Sequence, residues 1–271
     1  MISLKRNSKL ELVEATGKRK RASSIYTPGQ TEDFKLSRGK FSNFITCPRC
    51  FYLDRVKGLA EPGMPRWTLN ETTDHLLKKE FDECRKHQKP HRLFASYGLD
   101  HVVPFEHHAM DDWRDSLHKG MMARYHDSNI ILSGGVDDIW FDTKKECLIV
   151  VDYKSQANSR PVETASYLAS PYHAGYKVQI DFYNYLLDLM KFPIGDISYF
   201  LVVNAKREAS GFHGAMEFEE TIIPYEHDIS WIDEQVQSML DCLNSDKIPK
   251  SHLSCEGCAY ARQRNECEKS L

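Results

Sequence analysis

The 271-residue sequence lacks any run of about eighteen consecutive apolar residues, the length that a membrane-spanning helix requires. It also lacks the basic, apolar and small-residue segments of a secretory signal peptide. These two absences argue against the membrane-spanning and secreted classes. We therefore expect a soluble cytoplasmic protein with no membrane partner.

Internal repeats and the phosphate-binding loop G-x-x-x-x-G-K-[ST] are missing as well. Without that loop, the chain carries no visible ATP-driven motor. The formal net charge is −3, so the general basic excess of many nucleic-acid-binding domains is also absent. A nucleic-acid function then requires a local basic groove beside any acidic site.

What is present is enough apolar sequence, 41% of residues, to bury one sizeable core. Residues 1–33 are polar, show no sustained apolar period and carry the basic run KRKR at 18–21. This pattern favours a solvated, flexible tail, and the alternative is an arm that contacts phosphate. We expect one domain over residues 34–271, with an inserted helical and loop region at about 85–128 and a cysteine segment at about 250–271.

The eight cysteines include two widely separated C-x-x-C pairs and one that follows the second pair: Cys47, Cys50, Cys255, Cys258 and Cys267. Because no signal peptide is present, metal or cluster ligation is favoured over disulfides. Four thiolates match a tetrahedral zinc ion or an iron–sulfur cluster, and the alternative is ordinary buried thiols. Core packing is predicted for the lone cysteines: Cys84, Cys147 and Cys242.

The segment at residues 134–156 reads GGVDDIWFDTKKECLIVVDYKSQ. Its four consecutive apolar residues, 148–151, predict a central strand that is covered on both faces. We expect this strand to end at Asp152 and Lys154. These two side chains point the same way because residues two apart on a strand share a face.

An aspartate of the preceding strand, Asp137 or Asp138, is expected to join this pair. Two carboxylates and one ammonium group are costly to bury together without a function. Carboxylates hold Mg²⁺ or Mn²⁺, to which the carbonyl of Tyr153 could add a ligand. The metal then activates water against a phosphodiester, and Lys154 orients that water or stabilises the developing charge. The alternative is a surface hairpin whose D-x-K residues form a solvated ion pair.

These motifs resemble the core of the PD-(D/E)XK nuclease superfamily, in the RecB-like branch that includes CRISPR-associated RecB-like exonucleases. The motif G-x-x-D matches residues 134–137, (D/E)-x-K matches 152–154, and Q-x-x-x-Y matches Gln179 to Tyr183 on the next helix. The resemblance covers about residues 34–271. It implies an α/β restriction-endonuclease-like core, with a mixed central sheet flanked by helices. It also implies that Gln179 and Tyr183 contact the substrate backbone or support the metal site.

The resemblance further implies a [4Fe–4S] cluster that clasps the two chain ends together, with zinc as the alternative. Two ligand sets are compatible with the sequence. One is Cys47, Cys255, Cys258 and Cys267; the other is Cys47, Cys50, Cys255 and Cys258. The eight-residue gap between Cys258 and Cys267 is longer than the family pattern.

A helix is predicted near residues 69–86, with Asp74 on the same stripe as its inward-facing residues Leu77, Phe81 and Cys84. Its solvent-facing stripe is predicted to hold His75, Lys78, Lys79 and Asp82. Members of the resembled family often place a histidine metal ligand at the position of Asp74. Asp74 is therefore the candidate replacement ligand, and the alternative is a carboxylate that serves the helix start.

The rest of the chain gives weaker signals. A Pro/Gly linker is expected around residues 61–65 and a polar loop over 155–172. Helices are predicted over 176–190 and 230–243, a strand over 197–204 and a hairpin region over 211–223. Seven histidines lack a convincing ligand spacing and are predicted to lie at the surface or in loops: His87, His91, His101, His107, His108, His118 and His126.

The leading hypothesis is a divalent-metal-dependent deoxyribonuclease that uses Mg²⁺ or Mn²⁺. The resemblance points to an exonuclease or single-strand-preferring enzyme in DNA repair, recombination or defence. Lacking a motor, it would act on unwound DNA or beside a helicase partner. Two alternatives stay open: a catalytically silent nucleic-acid-binding or scaffold subunit with a four-cysteine metal site, and a zinc-stabilised protein-interaction module.

Overall fold

The computed structural model describes residues 4–63 and 67–270, so residues 64 and 65 of the expected linker lie outside the described part. The described helices are α1 Arg38–Thr46, α2 Pro48–Arg55, α3 Thr68–Lys86, α4 Met110–Arg114, α5 Thr164–Ala169, α6 Ala174–Leu189, α7 Ile232–Asn244 and α8 Glu256–Lys269. The strands are β1 Phe34–Ser37, β2 Val102–Pro104, β3 Met121–Arg124, β4 Ile130–Gly134, β5 Asp138–Asp142, β6 Cys147–Gln156, β7 Ile197–Ala205 and β8 Phe218–Glu226. Short 3-10 helices occur at Ala22–Ser24, Phe94–Tyr97 and Pro171–His173.

The described residues fall into two compact units. The first contains residues 4–63, 127–131 and 233–270, and the second contains residues 67–126 and 132–232. In the part of the chain that the structure describes, no helix combines the length and the apolar character needed to cross a membrane.

The second unit is built around a five-stranded sheet in the order β2-β5-β6-β7-β8. β5 and β6 form an antiparallel hairpin in which Asp138 lies opposite Val151. β6 and β7 run parallel, with Asp152 beside Phe200, and β8 closes the sheet antiparallel to β7. A parallel pair needs a crossover connection, and the segment containing α5 and α6 supplies it. The predicted α/β fold with a mixed central sheet and flanking helices is therefore confirmed.

The core of this unit explains the apolar run of β6. All four residues at 148–151 are buried, as expected for a strand covered on both faces. Trp140 of β5 stacks on Phe81 of α3 at 5.4 Å between ring centroids, and Phe94 meets Trp140 edge-on at 4.5 Å. Burying each of these side chains contributes roughly 2–3 kcal/mol. This packing fixes α3 against the strands that carry the acidic residues.

In the first unit, the segment CPRCFYLDR contains α2, which the single residue Cys47 separates from α1. Pro48 occupies the first turn of α2, where its missing N–H costs nothing. Phe44 and Phe51 hold the two helices together edge-to-face at 5.5 Å. The hydroxyl of Tyr52 donates to the carbonyl of Ser245 at 3.0 Å, which ties α2 to the end of α7.

Several sequence-based boundaries differ from the structure. β6 does not end at Lys154 but runs to Gln156, because its last residues pair with β7 as far as Asn204. The loop predicted over residues 155–172 contains α5, and the region at 85–128 contributes β2 to the edge of the main sheet. Sequence pattern does not reveal the strand ends, since their hydrogen bonds come from strands distant in sequence.

His91 lies in a loop after α3, within the predicted choice of surface or loop, but it is not at the surface. Its ring is buried and stacks on Phe81 at 4.1 Å, while its Nε2 is 2.9 Å from a carboxylate oxygen of Glu80. Burial lowers the pKa of His91, an effect that Glu80 opposes. A histidine with one apolar face and one satisfied nitrogen packs into a core, and helical spacing alone does not reveal this.

Candidate active site

The hairpin of β5 and β6 carries acidic residues, and a glycine just before this hairpin allows α6 to pack close to it. Gly134 ends β4, and a Cβ atom there would lie only 2.6 Å from Cε1 of Tyr183 on α6. A side chain at this position would push α6 away from the strand. The glycine of the G-x-x-D motif thus permits the close approach of the helix that carries Gln179.

Asp152 lies at the centre of the site and is fully buried. The ammonium group of Lys154 forms an ion pair with its Oδ2, and Gln179 donates from Nε2 to Oδ1 at 2.7 Å. Burial raises the pKa of Asp152 to about 7; the charge of Lys154 opposes this increase and that of Asp137 adds to it. The predicted convergence of Asp152 and Lys154 on one face of the strand is present in the structure.

Asp137 precedes β5 and faces the same site. Its Oδ2 accepts a hydrogen bond from the backbone N–H of Tyr153 at 2.9 Å. Its Oδ1 lies 3.9 Å from Nζ of Lys78. About a quarter of the Asp137 side chain stays open to solvent.

Asp138, the other aspartate that the sequence left open, points into the core instead. It is completely buried and interacts with Arg85, with Arg114 at 2.8 Å and with the hydroxyl of Tyr153, which donates at 2.8 Å. Two cations and one hydroxyl satisfy its charge. Asp138 therefore holds the hairpin in place, and Asp137 is the one of the two that interacts with Asp152.

Asp74 of α3 completes the group of carboxylates. Burial and the nearby Asp137 raise its pKa, while Lys78 opposes this shift. Nζ of Lys78 lies 2.8 Å from Oδ2 of Asp74. His75, the next residue, is exposed, as predicted for the solvent-facing side of α3.

Two members of the predicted solvent-facing stripe make contacts within the unit instead. Lys78 reaches both Asp74 and Asp137, and Asp82 interacts with Arg85 and with Arg114 at 2.7 Å. α3 therefore contacts its surroundings along more of its circumference than its apolar spacing indicates. The available signal was the spacing of Lys78 four residues after Asp74, which places the two on one helical face.

The Q-x-x-x-Y motif lies on α6, with its two named residues one turn apart on the same face. Gln179 contacts Asp152 and also donates to the hydroxyl of Tyr183 at 3.3 Å. Sequence reasoning missed Tyr176, whose ring lies 4.5 Å from Nζ of Lys154. Its spacing of three residues before Gln179 was the usable signal. The ring and Asp152 together hold the ammonium group of Lys154 in one place.

Three carboxylates from α3 and the hairpin face one another, and carboxylates are the donors that a hard divalent cation prefers. The charge of Asp137 contributes to the raised pKa of Asp74 and of Asp152, which shows that the three are close enough to interact. The arrangement is looser than a closed metal cage. Among the described residues, only the cysteine group discussed next brings three or more ligand side chains within 4.8 Å of one another. Lys78 lies between Asp74 and Asp137, so a metal bound by both would have to displace it.

The first unit brings four cysteines together. Their sulfurs all lie within 4.8 Å of one another: Cys47, Cys50, Cys255 and Cys258. Three of the six separations are 3.9 Å from Cys47 to Cys258, 3.6 Å from Cys50 to Cys255 and 3.4 Å from Cys50 to Cys258. Four sulfurs around one metal with bonds of about 2.3 Å would be about 3.8 Å apart. The spacing therefore matches a single tetrahedral metal ion.

Cys267, a member of the other ligand set, lies outside this group. It is exposed on α8, and its sulfur is 3.9 Å from Nε2 of Gln263. Cys47, by contrast, occupies the N-cap position of α2. Burial would raise the pKa of its thiol, but backbone groups of Cys50 and His252 together with the neighbouring thiols lower it to about 7. Burial and the neighbouring thiols raise the pKa of Cys50, and burial raises that of Cys258, so Cys47 is the one of these three that loses its proton most readily, as metal ligation requires.

The remaining cysteines and histidines supply no further ligand group. Cys84 and Cys147 are buried, as predicted, and Cys242 is partly buried with its thiol 3.9 Å from the carbonyl of Pro48. His101 lies 3.5 Å from Asp142 in the second unit. None of these side chains joins the four cysteines or the aspartates in the part of the chain that is described.

In a comparison with protein-family models, the model of the PD-(D/E)XK nuclease superfamily aligns with residues 35–263. This range contains Asp74, Asp137, Asp152, Lys154 and Gln179. Comparison with curated proteins gives no match.

Proposed function

The chain belongs to the PD-(D/E)XK nuclease superfamily, and from this premise we propose that it is a divalent-metal-dependent deoxyribonuclease. The observation that carries the proposal is the convergence of Asp137, the buried Asp152 and Lys154 in one site. No structural role of the hairpin requires these charges, because Asp138 already anchors it. We assign the enzyme to the RecB-like branch because Gln179 of the Q-x-x-x-Y motif contacts Asp152 directly.

In this proposal Asp137, Asp152 and Asp74 hold Mg²⁺ or Mn²⁺, with the backbone carbonyl of Tyr153 as a further ligand. When bound, the metal lowers the pKa of a coordinated water and neutralises charge that develops on the phosphate. The backbone N–H of Tyr153 orients one oxygen of Asp137. Gln179 orients one oxygen of Asp152, so the carboxylates keep their positions before the metal arrives.

Lys154 has the role of positioning the attacking water and stabilising the charge of the transition state. Its ammonium group is held by Asp152 and by the ring of Tyr176, which restricts it to one side of the site. A positioned lysine acts there as a hydrogen-bond donor and, after proton transfer, as a base. Tyr183 buttresses Gln179 from the next turn of α6.

We further propose that the substrate is a DNA end or a single strand, in repair, recombination or defence. The sequence shows no phosphate-binding loop of an ATP-driven motor, so the enzyme would depend on unwound DNA or on a helicase partner. A cytoplasmic location belongs to the same proposal. Complete digestion of duplex DNA by the protein alone would contradict the dependence on unwinding.

For the four cysteines we propose a single zinc ion with a structural role. Three sulfur separations of 3.4–3.9 Å, with all six within 4.8 Å, support one shared metal. In a [4Fe–4S] cluster, each thiolate binds a different iron, which keeps the sulfurs further apart. Cys50 then takes the place that the resemblance had reserved for Cys267.

The decisive experiment measures cleavage of end-labelled single- and double-stranded DNA with Mg²⁺ or Mn²⁺. We expect Lys154→Ala and Asp152→Asn to lower the rate by roughly 100-fold or more, because the first removes a positioned acid–base group and the second removes a metal ligand. Lys144→Ala, in the exposed turn of the same hairpin, is the matched control and should cleave like wild type. Circular dichroism and thermal unfolding of each variant separate loss of chemistry from loss of fold.

Wild-type protein that binds DNA but does not cleave it with either metal would overturn the nuclease proposal and favour the silent nucleic-acid-binding subunit. Cleavage of RNA but not DNA would keep the chemistry and correct the substrate. Protein that neither binds nor cleaves nucleic acid would favour the zinc-stabilised interaction module.

A further inference from the structure

A cationic hollow lies in the first unit, between the N-terminal segment and the turn that follows α2. It has a volume of about 570 Å³. Its lining contains five cationic side chains and only two acidic ones, Glu14 and Glu61. The cationic residues are Lys5, Lys18, Arg19, Lys20 and Arg21. The hollow therefore has a local excess of positive charge, whereas the whole chain has a formal net charge of −3.

The basic run of the N-terminal segment has a defined backbone position. Lys18 forms an antiparallel bridge with Leu59. The N–H of Arg19 donates to the carbonyl of Gly58 at 2.8 Å, and the N–H of Ala60 donates to the carbonyl of Gly17 at 2.8 Å. The start of the run is therefore paired with the turn after α2, and its side chains project from a fixed line of backbone.

One residue of the run serves as the anchor. The guanidinium group of Arg19 forms an ion pair with Asp54, a buried residue of α2. Asp54 also accepts from Lys40 at 2.7 Å and from Arg55 at 3.0 Å, so three cations share its single charge. Burial would raise the pKa of Asp54, but these hydrogen bonds lower it. Because Asp54 already interacts with three cations, it does not neutralise Lys18 or Lys20 beside Arg19.

The neighbours of Arg19 are left facing outwards. Lys18, Lys20 and Arg21 are all exposed, and the alternation of side chains along an extended segment places Lys18 and Lys20 on the face opposite Arg19. Lys5 approaches from the opposite wall, where its carbonyl accepts from the N–H of Val13 at 3.0 Å. None of these four cations forms an ion pair with a carboxylate in the described part of the chain.

Four unpaired cations on one concave surface repel one another, and an anionic ligand relieves that repulsion. The lining residues between them are small or polar, among them Thr16, Gly17 and Ser24, and no aromatic ring is found in the described lining. A surface of this kind contacts phosphates and has no platform for stacking bases. The chemistry therefore matches a polyanion with closely spaced charges and little sequence dependence.

We propose that this hollow binds the phosphate backbone of a nucleic acid, with Lys5, Lys18, Lys20 and Arg21 as the contacting side chains and Arg19 as the anchor that positions them. The proposal rests on the proposed nuclease function, because it names a second contact for the same substrate. It gives the run at residues 18–21 the role of a fixed phosphate-binding arm.

The test is the salt dependence of DNA binding by the full-length protein, measured by fluorescence anisotropy without divalent metal so that no cleavage occurs. The probe is a labelled single strand of mixed sequence. We expect Lys18→Gln/Lys20→Gln to weaken binding and to reduce the slope of log K against log salt by about 1.4, which is about 0.7 for each lost phosphate contact. Lys18→Glu/Lys20→Glu should weaken binding further.

The matched control is Lys144→Gln/Lys145→Gln, which removes two exposed cations from the turn between β5 and β6 of the second unit. It should keep the slope of wild type. An equal slope for the Lys18/Lys20 variants and wild type, with the fold intact by circular dichroism, would overturn the proposal. Equal slope losses in the variant and the control would also overturn it, since binding would then follow net charge alone.

Failure of the nuclease function has a different signature. Wild-type protein would then cleave no DNA with Mg²⁺ or Mn²⁺, whatever the binding slope shows. Competition with polyglutamate identifies the class of ligand. If polyglutamate displaced the DNA as well as polyphosphate of equal charge, the hollow would be assigned to an acidic protein and the phosphate proposal would be overturned.

Discussion

Nζ of Lys78 lies 2.8 Å from Oδ2 of Asp74, one turn earlier on α3. The same ammonium group is 3.9 Å from Oδ1 of Asp137. A cation of the protein thus occupies the space between two of the three carboxylates that we assign to the divalent metal. Metal binding must break this ion pair, so Lys78 competes with the metal for the same oxygens.

We predict that Lys78→Met tightens the binding of Mg²⁺ and Mn²⁺. The expected gain is on the order of fivefold, which corresponds to about 1 kcal/mol for a partly exposed ion pair. Methionine is unbranched like lysine, is only one atom shorter and has a similar helix propensity, but it removes the charge. Isothermal titration calorimetry of the full-length protein measures the affinity directly, independently of cleavage.

Lys79→Met is the control for this experiment, because Lys79 is exposed and adjacent in α3. It removes the same charge without touching Asp74 and should leave the affinity near that of wild type. Unchanged or weaker metal binding in Lys78→Met would show that the lysine does not compete. It would then act as a support that holds the carboxylates together.

Asp137 and Asp138 are adjacent in sequence but have opposite roles, and asparagine substitutions should separate them. Asp138→Asn is expected to destabilise the fold by about 3 kcal/mol, because Arg85 and Arg114 lose a buried counter-charge. Asp137→Asn should cost less than about 1 kcal/mol, since the asparagine oxygen still accepts from the N–H of Tyr153.

The measurements are urea unfolding and metal titration of both variants. Asp137→Asn should lose divalent-metal affinity while its unfolding midpoint stays near that of wild type. If Asp138→Asn were as stable as wild type, the network with Arg85 and Arg114 would not anchor the hairpin. If Asp137→Asn bound metal normally, the assignment of Asp137 to the site would be wrong.

The contrast between these two aspartates shows where sequence reasoning succeeds and where it stops. The shared direction of Asp152 and Lys154 follows from the two-residue repeat of a strand, and the apolar run before them predicts burial. Both inferences use residues that are neighbours in sequence. The choice between Asp137 and Asp138 depends on Arg85 and Arg114, which arrive from distant segments and carry no local signal.

The same dependence on residues from other segments explains why the sequence did not predict the environments of Lys78 and His91. Helical spacing placed Lys78 on a solvent-facing stripe, but the hairpin of β5 and β6 brings Asp137 to that side of α3. His91 is buried against the ring of Phe81, on which its own ring stacks. The sequence indicated a metal site because the two cysteines of each C-x-x-C pair are close in sequence. It could not decide between Cys50 and Cys267 as the fourth ligand, since that choice depends on how α2 and α8 pack together.

Metal analysis of the purified protein tests the cysteine group. We predict zinc without iron or acid-labile sulfide, and no visible absorption of an iron–sulfur cluster. Cys50→Ser should lose the zinc and lower the thermal midpoint, because ligation energy is also folding energy for a structural site. Cys267→Ser is the control and should retain zinc, since this exposed thiol lies outside the group. A brown protein that loses iron in Cys267→Ser would establish the cluster and the other ligand set.

Asp181 lies within the Q-x-x-x-Y motif but faces away from Asp152. Its carboxylate is buried and accepts from the hydroxyl of Tyr225 at 3.0 Å, from the N–H of Asp228 at 3.2 Å and from Nε1 of Trp231 at 3.1 Å. Burial raises the pKa of Asp181 to about 6, although these hydrogen bonds oppose the shift. The residue ties α6 to the segment that follows β8.

This raised pKa predicts a stability that falls as pH rises. In the unfolded chain, an aspartate titrates near pH ~3.9, so the folded protein binds the extra proton between about pH 4 and 6. The stabilisation is complete below about pH 4 and is lost as pH passes through about 6. Relative to Asp181→Asn, wild type should lose roughly 1.4 kcal/mol of unfolding free energy between about pH 5 and 8.

Urea unfolding of wild type and Asp181→Asn at about pH 5 and about pH 8 provides the check, because other titrating groups cancel in the difference. Asp188→Asn, an exposed position on the same helix, is the control and should show no such change. The opposite result would be a wild-type stability that rises with pH relative to Asp181→Asn. It would mean that the hydrogen bonds from Tyr225, Asp228 and Trp231 lower the pKa of Asp181 by more than burial raises it. The anchor would then be strongest when Asp181 is ionised, and the sign of its contribution to stability would be reversed.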